Sequence, residues 1–313
     1  MPLIKAQDVS HVRFRAPDLR TMEAFLLDFG LATAEHGADA LYMRGTDPGP
    51  FIHVTERGDP RFIGFGLWAK SEADLHKLAE REGLSPIKSE EPGGGLVVKL
   101  IDPDGYQVEV VAGQAQAERL PIPEHLPWNQ GGQYQRLRAR RVPAGPSHVI
   151  RLGHVVMGVR DFPTTEQWYK ERFGLLTSDE IRVDGDDRAC GAFLRCDRGE
   201  DDPCDHHTLF LVENTSGPGF IHSAFEVADL DDLMSGHDFL QQKQRQHFWG
   251  IGRHYLGSQV FDYWKDPWGN EIEHWTDGDK LIASHAAGVG SIEDLLGVQW
   301  GMKMPAPFSP RKR

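Results

Sequence analysis

Hydrophobic and polar positions follow one order twice along the chain: a strand, a helix, then several strands. In the second half, alternating Val155, Met157 and Val159 predict a half-buried strand. Apolar positions at helical spacing from Thr164 to Phe173 predict a helix that Gly174 ends. Short β-rich runs bounded by Gly, Pro or Asp follow, among them ACGAFLRC, HTLFLVE, FIHSAFEVAD and NEIEHW. The pattern predicts an α+β fold.

The same pattern in the first half is a sequence repeat. HVRFRAPDLRTMEAFLLDFGL from His11 aligns with HVVMGVRDFPTTEQWYKERFGL from His154. RFIGFGLWAKSEADL from Arg61 aligns with GFIHSAFEVADLDDL from Gly219, and the turn-forming DPDGYQVEV with DPWGNEIEH. Three matches in the same order indicate a duplicated module.

The repeat sets the expected domain organisation. We expect an N-terminal module over residues 1–112 and a C-terminal module over residues 148–283. Residues 113–147 are rich in Gln, Arg, Pro and Gly and are expected to be a linker. Residues 284–313 are expected to be a tail that is extended or partly disordered.

Composition agrees with two domains and excludes several kinds of partner. The 313 residues are about twice the length of a common domain. The 47 acidic residues outnumber the 34 basic ones, which argues against a nucleic-acid or anionic-membrane partner. The sequence lacks an apolar run long enough for a membrane span and a signal-peptide pattern, so the cytoplasm is the expected location. Its three cysteines form no CxxC pair, so neither a disulfide framework nor a zinc knuckle is indicated.

The two halves differ at one repeat position whose residue type affects metal binding. Three pairs of repeat positions, first half then second half, are His11 and His154, Gly64 and His222, and Glu109 and Glu273. Two histidines and a carboxylate therefore survive only in the second half. Such a set binds one face of an Fe(II) octahedron and leaves adjacent positions open, and it also binds Zn(II) or Mn(II). The alternative is three structural side chains, which does not explain why the repeats diverge at that position.

The stretch GRHYLGSQVFDYWKDPWGNEIEHW, from Gly252 to Trp275, resembles the signature of the type I extradiol ring-cleavage dioxygenases, members of the vicinal oxygen chelate superfamily. That signature is a Gly-x-His, a spacer, an apolar residue and Tyr, then Asp-Pro-x-Gly and a metal-ligand Glu. The matching residues are Gly252, His254, Tyr263, Asp266, Pro267, Gly269 and Glu273. Asp262 departs from the signature, because the family usually has an apolar residue before the Tyr. With the repeats, the resemblance extends from about residue 8 to 283.

The resemblance implies a fold of two tandem modules, each of paired βαβββ units, in a vicinal oxygen chelate or glyoxalase-like arrangement. It implies an N-terminal module without metal and a C-terminal module that holds Fe(II), with Mn(II) as an alternative. The implied ligands are His154, His222 and Glu273.

The resemblance also implies roles for the residues around the metal. His207, in DHHTLFLV, matches the family's histidine near the O2 position and is the implied general acid/base. His206 is its rival, because strand alternation would let only one of the two face inward. His254 and Tyr263 match side chains that contact the substrate oxygens. The alternatives are solvent-exposed histidines and a core tyrosine.

The implied function is cleavage of the aromatic ring of a catechol-type diol by O2, beside the two hydroxyls, in the degradation of aromatic compounds. The partners would be the small diol and O2, and relatives often form homo-oligomers. Two other functions stay open. A glyoxalase-type lyase or isomerase commonly uses a fourth protein ligand, and a metal-free binding protein of the same fold needs none.

Overall fold

The computed structural model describes residues 1–124, 126–183, 187–214 and 216–305. In the N-terminal half they form β1 (Ala6–Ala16), α1 (Leu19–Phe29), β2 (Ala32–His36), β3 (Ala40–Arg44), β4 (His53–Arg57), β5 (Arg61–Ala69), α2 (Glu72–Arg81), β6 (Ile87–Lys88), β7 (Leu96–Ile101) and β8 (Gln107–Ala112). In the C-terminal half they form β9 (Val149–Val159), α3 (Phe162–Phe173), β10 (Leu176–Arg182), β11 (Ala189–Arg195), β12 (Cys204–Asp205), β13 (Leu209–Glu213), β14 (Gly219–Val227), α4 (Leu230–Gln242), β15 (Gln246–His254), β16 (Val260–Lys265), β17 (Glu271–Thr276), β18 (Lys280–Leu281), β19 (Gly288–Ser291), α5 (Ile292–Leu295) and β20 (Val298–Gly301).

The described strands form one large mixed sheet in each half. The N-terminal sheet has the order β2-β3-β4-β1-β5-β8-β7-β6, and the C-terminal sheet has the order β19-β10-β11-β13-β9-β14-β17-β16-β15-β20. Each sheet has an antiparallel pair at its centre, β1 with β5 and β9 with β14, flanked on both sides by parallel pairs. Each half therefore consists of two βαβββ units joined at that central pair. The α+β fold of paired βαβββ modules is confirmed.

Repeated residues begin and end the first helix of each half. The side chains of Asp18 and Asp161 accept hydrogen bonds from backbone N–H groups at the starts of α1 and α3. Gly30 and Gly174 follow these helices in the left-handed conformation, with φ of 106° and 66°. The predicted helix end at Gly174 is confirmed.

Strand β9 is more deeply buried than the predicted half-buried strand. Val155, Met157 and Val159 belong to an apolar cluster that includes buried residues of both halves. Val156, whose side chain alternates to the opposite face, packs in a second cluster with Phe193 and Phe210. Side chains on both faces of β9 are therefore buried. One of these faces carries the candidate site described below.

The segment after residue 283 differs from the expected tail. Strand β19 pairs with β10 and strand β20 pairs with β15, so this segment adds a strand to each edge of the C-terminal sheet. The expectation of an extended or partly disordered tail is corrected for residues 288–301, because pairing to an existing edge gives them regular structure. Residues 306–313 of that predicted tail lie outside the described residues. None of the described helices is long and apolar enough to cross a membrane.

Candidate metal centre and active site

Three adjacent strands bring the predicted metal ligands together. His154 lies on β9, His222 on β14 and Glu273 on β17. The Nε2 atoms of His154 and His222 lie 3.3 Å and 3.2 Å from Glu273 Oε2, and 3.4 Å from each other. The Glu273 side chain is fully buried. The three ligand atoms thus form a small triangle inside the C-terminal module.

The candidate ligands have buried polar atoms that lack hydrogen-bond partners among the described residues, as expected where a cation binds. Both carboxylate oxygens of Glu273 and Nδ1 of His154 are buried without a hydrogen-bond partner among the described residues. A buried carboxylate in that state is costly unless a cation balances it. The sides of the triangle match the roughly 3–3.5 Å between neighbouring ligands of a metal bound at about 2.1 Å. The residues present fit a divalent metal ion.

The charge states also suit metal binding. Burial raises the pKa of Glu273, but the neighbouring histidines His154, His222 and His254 outweigh burial and hold this pKa well below its usual range. Burial lowers the pKa of His154, which keeps its imidazole neutral. A carboxylate and a neutral imidazole are the forms that bind metal.

The strand register supports the comparison of the two halves. On the central antiparallel pairs, Arg13 lies opposite Gly64, and Val156 lies opposite His222. A Cβ at Gly64 would lie 1.8 Å from the backbone oxygen of Gln107, so the first half has no room for a side chain there. The absence of a third ligand in the N-terminal module is therefore built into its backbone.

The carboxylate of the N-terminal module is balanced by protein cations instead. Glu109 Oε2 lies 2.7 Å from His11 Nε2 and 2.9 Å from Arg13 Nη2, and Glu109 Oε1 lies 2.9 Å from Lys99 Nζ. Burial raises the pKa of Glu109, but these three side chains outweigh burial and hold it far below its usual range. This carboxylate needs no metal.

His207 lies beside the candidate metal centre. Its ring centroid is 4.0 Å from that of His154, and the edge of Phe193 packs against it at 4.8 Å. Burial, with His154 and His206 as further causes, holds the pKa of His207 well below its usual range. His207 is therefore neutral at physiological pH.

The expectation that only one of His206 and His207 faces inward was wrong. Both are buried, because they lie between β12 and β13, where strand alternation does not apply. The Nδ1 atoms of the two rings lie 3.1 Å apart, and His206 Nε2 lies 2.7 Å from Asp179 Oδ2. Asp179, on β10, was missed by sequence reasoning because it is distant in the chain and belongs to no motif.

His254 and Tyr263 complete the site on the side of β15 and β16. The Tyr263 hydroxyl lies 3.0 Å from His254 Nε2, and that nitrogen lies 3.5 Å from Glu273 Oε1. The Tyr263 ring meets the His222 ring edge to face at 5.0 Å. Burial and the Glu273 carboxylate raise the pKa of Tyr263 well above its usual value, so its hydroxyl keeps its proton. All six predicted site residues are thus brought into one region.

A second group of two histidines and a carboxylate lies around Asp262, where the sequence departs from the family signature. The Asp262 carboxylate accepts hydrogen bonds from His237 Nδ1 at 3.0 Å, His247 Nε2 at 2.8 Å and Trp264 Nε1 at 2.6 Å. Both of its oxygens are hydrogen-bonded, unlike those of Glu273. We interpret this group as a hydrogen-bonded anchor that ties α4 to the sheet.

Comparisons with known proteins show the family to which the chain belongs. The sequence profile of the Glyoxalase/Bleomycin resistance protein/Dioxygenase superfamily matches residues 151–274, which include all three candidate ligands. Metapyrocatechase 2 from Cupriavidus necator is 30% identical over 315 residues, which cover 98% of this chain and 92% of that protein. The chain belongs to the type I extradiol dioxygenases of this superfamily. Extradiol dioxygenases depend on a metal, and the candidate metal centre lies within the matched residues.

Solved structures share the fold over nearly the whole chain. The Mn(II)-bound glyoxalase from Novosphingobium aromaticivorans has a TM-score of 0.78 at 21% identity and covers 97% of this chain and 96% of its own. The 2,3-dioxygenase LapB from Pseudomonas sp. KL28 has a TM-score of 0.76 at 17% identity, covering 93% and 99%. A glyoxalase and an extradiol dioxygenase fit almost equally well. The fold alone therefore does not decide the reaction.

Proposed function

We propose that this protein is an Fe(II)-dependent extradiol dioxygenase that opens the aromatic ring of a catechol-type diol with O2, beside the two hydroxyls. The metal would be held by His154, His222 and Glu273. The observation that carries the proposal is the buried ligand triangle with its unmet polar atoms, which has His207 and Tyr263 beside it. Membership in the extradiol dioxygenase family supports ring cleavage over the glyoxalase reaction.

Bound Fe(II) supplies Lewis acidity and an electronic link between the diol and O2. The protein supplies proton control around it. Neutral His207 takes a proton from the reacting diol and returns it later in the reaction, as a general base and then a general acid. The protonated hydroxyl of Tyr263 donates a hydrogen bond to a deprotonated diol oxygen. His254, within hydrogen-bond distance of that hydroxyl, holds it in place.

Apolar side chains next to His207 suit an aromatic substrate. Phe193 and Phe210 stack at 4.1 Å between centroids, and Val156 and Ile181 belong to the same buried cluster. Such surroundings exclude water and strengthen the polar contacts at the reacting atoms. On this proposal residues 148–283 are the catalytic module, and residues 1–112, joined through residues 113–147, are a non-catalytic one.

The test is a panel of catechols mixed with protein that has been loaded anaerobically with Fe(II). We expect O2 uptake in step with a visible absorption band of the ring-opened product, and 18O2 should place both oxygen atoms in that product. His222→Ala is the matched control and should give neither signal. Conversion of substrate without O2 uptake would instead favour the lyase or isomerase alternative, and loading with Mn(II) in parallel decides which metal supports turnover.

A further inference from the structure

We propose that Asp179 and His206 are positioning residues that fix the proton of His207 on Nδ1 and leave its Nε2 as an unprotonated base. The proposal rests on the role given to His207 in the proposed function. Asp179 and His206 lie outside the family signature. The positions of the protons on His206 and His207 can be measured without any turnover of substrate.

The geometry is a chain of three side chains, of which Asp179 is partly buried and both histidines are buried. Asp179 Oδ2 lies 2.7 Å from His206 Nε2, and His206 Nδ1 lies 3.1 Å from His207 Nδ1. His206 and His207 are only 4% and 3% exposed. The chain ends at the candidate metal centre, since the His207 ring lies 4.0 Å from that of His154.

The backbone of His206 is hydrogen-bonded on both sides of the residue, and a neighbouring loop packs against its ring. Its backbone N–H donates to Asp279 O at 2.9 Å, and its carbonyl accepts from the Ser178 hydroxyl at 2.6 Å. A Cβ at Gly257 would lie 3.1 Å from His206 Nδ1, so the neighbouring loop packs closely against the ring. The imidazole therefore has little freedom to turn away from Asp179 or His207.

The hydrogen-bonding capacities of the three groups set the proton positions. A carboxylate only accepts, so His206 Nε2 must carry the proton that it donates to Asp179. In this proposal His206 is neutral, and a neutral imidazole has one N–H, which leaves Nδ1 of His206 as an acceptor. Nδ1 of His207 must then be the donor between the two rings. In neutral His207 that leaves Nε2, on the other side of the ring, with a free lone pair.

This arrangement has a direct chemical consequence. With Nε2 unprotonated, His207 is ready to accept a proton from the diol before it gives one back. When His207 becomes charged, its Nδ1–H still points at His206, whose own N–H points at the Asp179 carboxylate. The chain thus orients the ring in both of its charge states, as a partner that holds a catalytic histidine does in other enzymes.

The decisive measurement is the protonation pattern of the two rings. We would label the histidines with 15N, load the protein with diamagnetic Zn(II), and identify the protonated nitrogen of each ring from long-range 1H–15N spectra. Single variants at the two positions assign the signals. We expect protons on Nε2 of His206 and Nδ1 of His207. A proton on Nε2 of His207, or a doubly protonated His206, would overturn the proposal. This result does not depend on ring cleavage, so failure of the proposed function would appear separately, as wild-type protein without O2 uptake.

Two substitutions at His206 distinguish a role in orienting His207 from a role in packing alone. His206→Asn keeps an acceptor oxygen near the position of Nδ1, whereas His206→Phe fills the space without one. In Fe(II)-loaded protein we expect His206→Phe to lower kcat about 10- to 100-fold with little change in KM for the diol, and His206→Asn to recover most of the loss. His76→Phe, at an exposed site on α2, is the control and should match the wild type. Wild-type kcat in His206→Phe, or equal losses in both His206 variants, would contradict the proposal.

Discussion

Buried carboxylates at matching positions of the two halves are balanced by different partners. Glu109 is paired with the Arg13 guanidinium, whereas the counterpart of Arg13 in the second half is apolar Val156. Glu273 therefore has imidazoles beside it in place of a guanidinium, and its oxygens lack hydrogen-bond partners among the described residues. At the scale of single residues, a valine in place of an arginine and a histidine in place of a glycine distinguish the candidate metal centre from the ion pair of the N-terminal module.

Tyr263→Phe tests the hydroxyl at the site without disturbing the packing of the ring, which stacks on Trp249 at 5.1 Å. Loss of a hydrogen bond to a charged oxygen costs about 1.5–3 kcal/mol, or roughly 10- to 100-fold in rate. We expect kcat/KM for the diol to fall by that factor while the metal content stays at the wild-type level. Steady-state kinetics and metal analysis check this, and unchanged kinetics would remove Tyr263 from the mechanism.

At the scale of elements, the hydrogen bonds around Asp262 join α4 to strands β15 and β16 of the C-terminal sheet. His237 lies on α4, His247 on β15, and Asp262 itself on β16. Burial raises the pKa of Asp262, but hydrogen bonds from His237 and His247 outweigh burial and lower it below its usual value. A charged side chain at this position of the family signature is thus explained by histidines that come from two neighbouring elements.

Asp262→Leu restores the apolar residue of the family signature and leaves the three N–H donors without their acceptor. We expect the free energy of unfolding to fall by about 2–4 kcal/mol, with the metal content unchanged. Urea unfolding and metal analysis measure the two quantities. Asp201→Leu, at an exposed site, serves as the control. A lost equivalent of metal in Asp262→Leu would instead identify the Asp262 group as a second metal site.

The sequence predicted those parts of the fold and site that depend on local patterns. The repeat predicted the positions of the candidate ligands, because matching strands place matching residues on the same face. The strands GVGS and VQWG after residue 283 are only four residues long, which is too short for a periodic pattern to identify them, and the structure pairs them with β10 and β15. The partner of His206 could not be predicted either, since it comes from a distant strand that is brought close by folding.

At the scale of the whole molecule, the two modules share a packed core. The Phe29 ring, at the end of α1, stacks on the His274 ring at 3.7 Å, and His274 Nε2 lies 2.7 Å from the Phe29 carbonyl oxygen. His274 follows the candidate ligand Glu273 directly on β17. The N-terminal module therefore supports the strand that carries the candidate metal ligand Glu273.

Buried neutral histidines make the stability of the whole molecule sensitive to acid. Burial, with the charge of His11 as a second cause, lowers the pKa of His53 to about 3. In the unfolded chain this pKa is about 6.5, so below that pH the unfolded state binds a proton that the folded state does not. The stability provided by neutral His53 is therefore present above about pH 6.5 and is lost as pH falls towards the folded value.

Between pH 7 and pH 5 this effect should remove about 2 kcal/mol from the free energy of unfolding. Urea unfolding of metal-free protein at the two pH values measures it. We expect the loss in His53→Leu to be smaller than in the wild type by about that amount. His76→Leu, at an exposed site, should retain the full loss. Equal losses in His53→Leu and the wild type would show that His53 is not held neutral by folding.

The measurement that tests the account most directly is the metal content of two histidine variants, one in each module. The central claim is that the C-terminal module alone holds the metal. Wild-type protein loaded anaerobically should hold about one Fe(II) per chain, and His222→Ala should hold almost none, because two protein ligands leave the Glu273 carboxylate poorly balanced. His11→Ala should keep the full metal content despite lower stability, since the hydrogen bonds of His11 among the described residues are with Ser10 and Glu109 of the N-terminal module. Equal losses of iron in both variants, or two irons per wild-type chain, would contradict the claim.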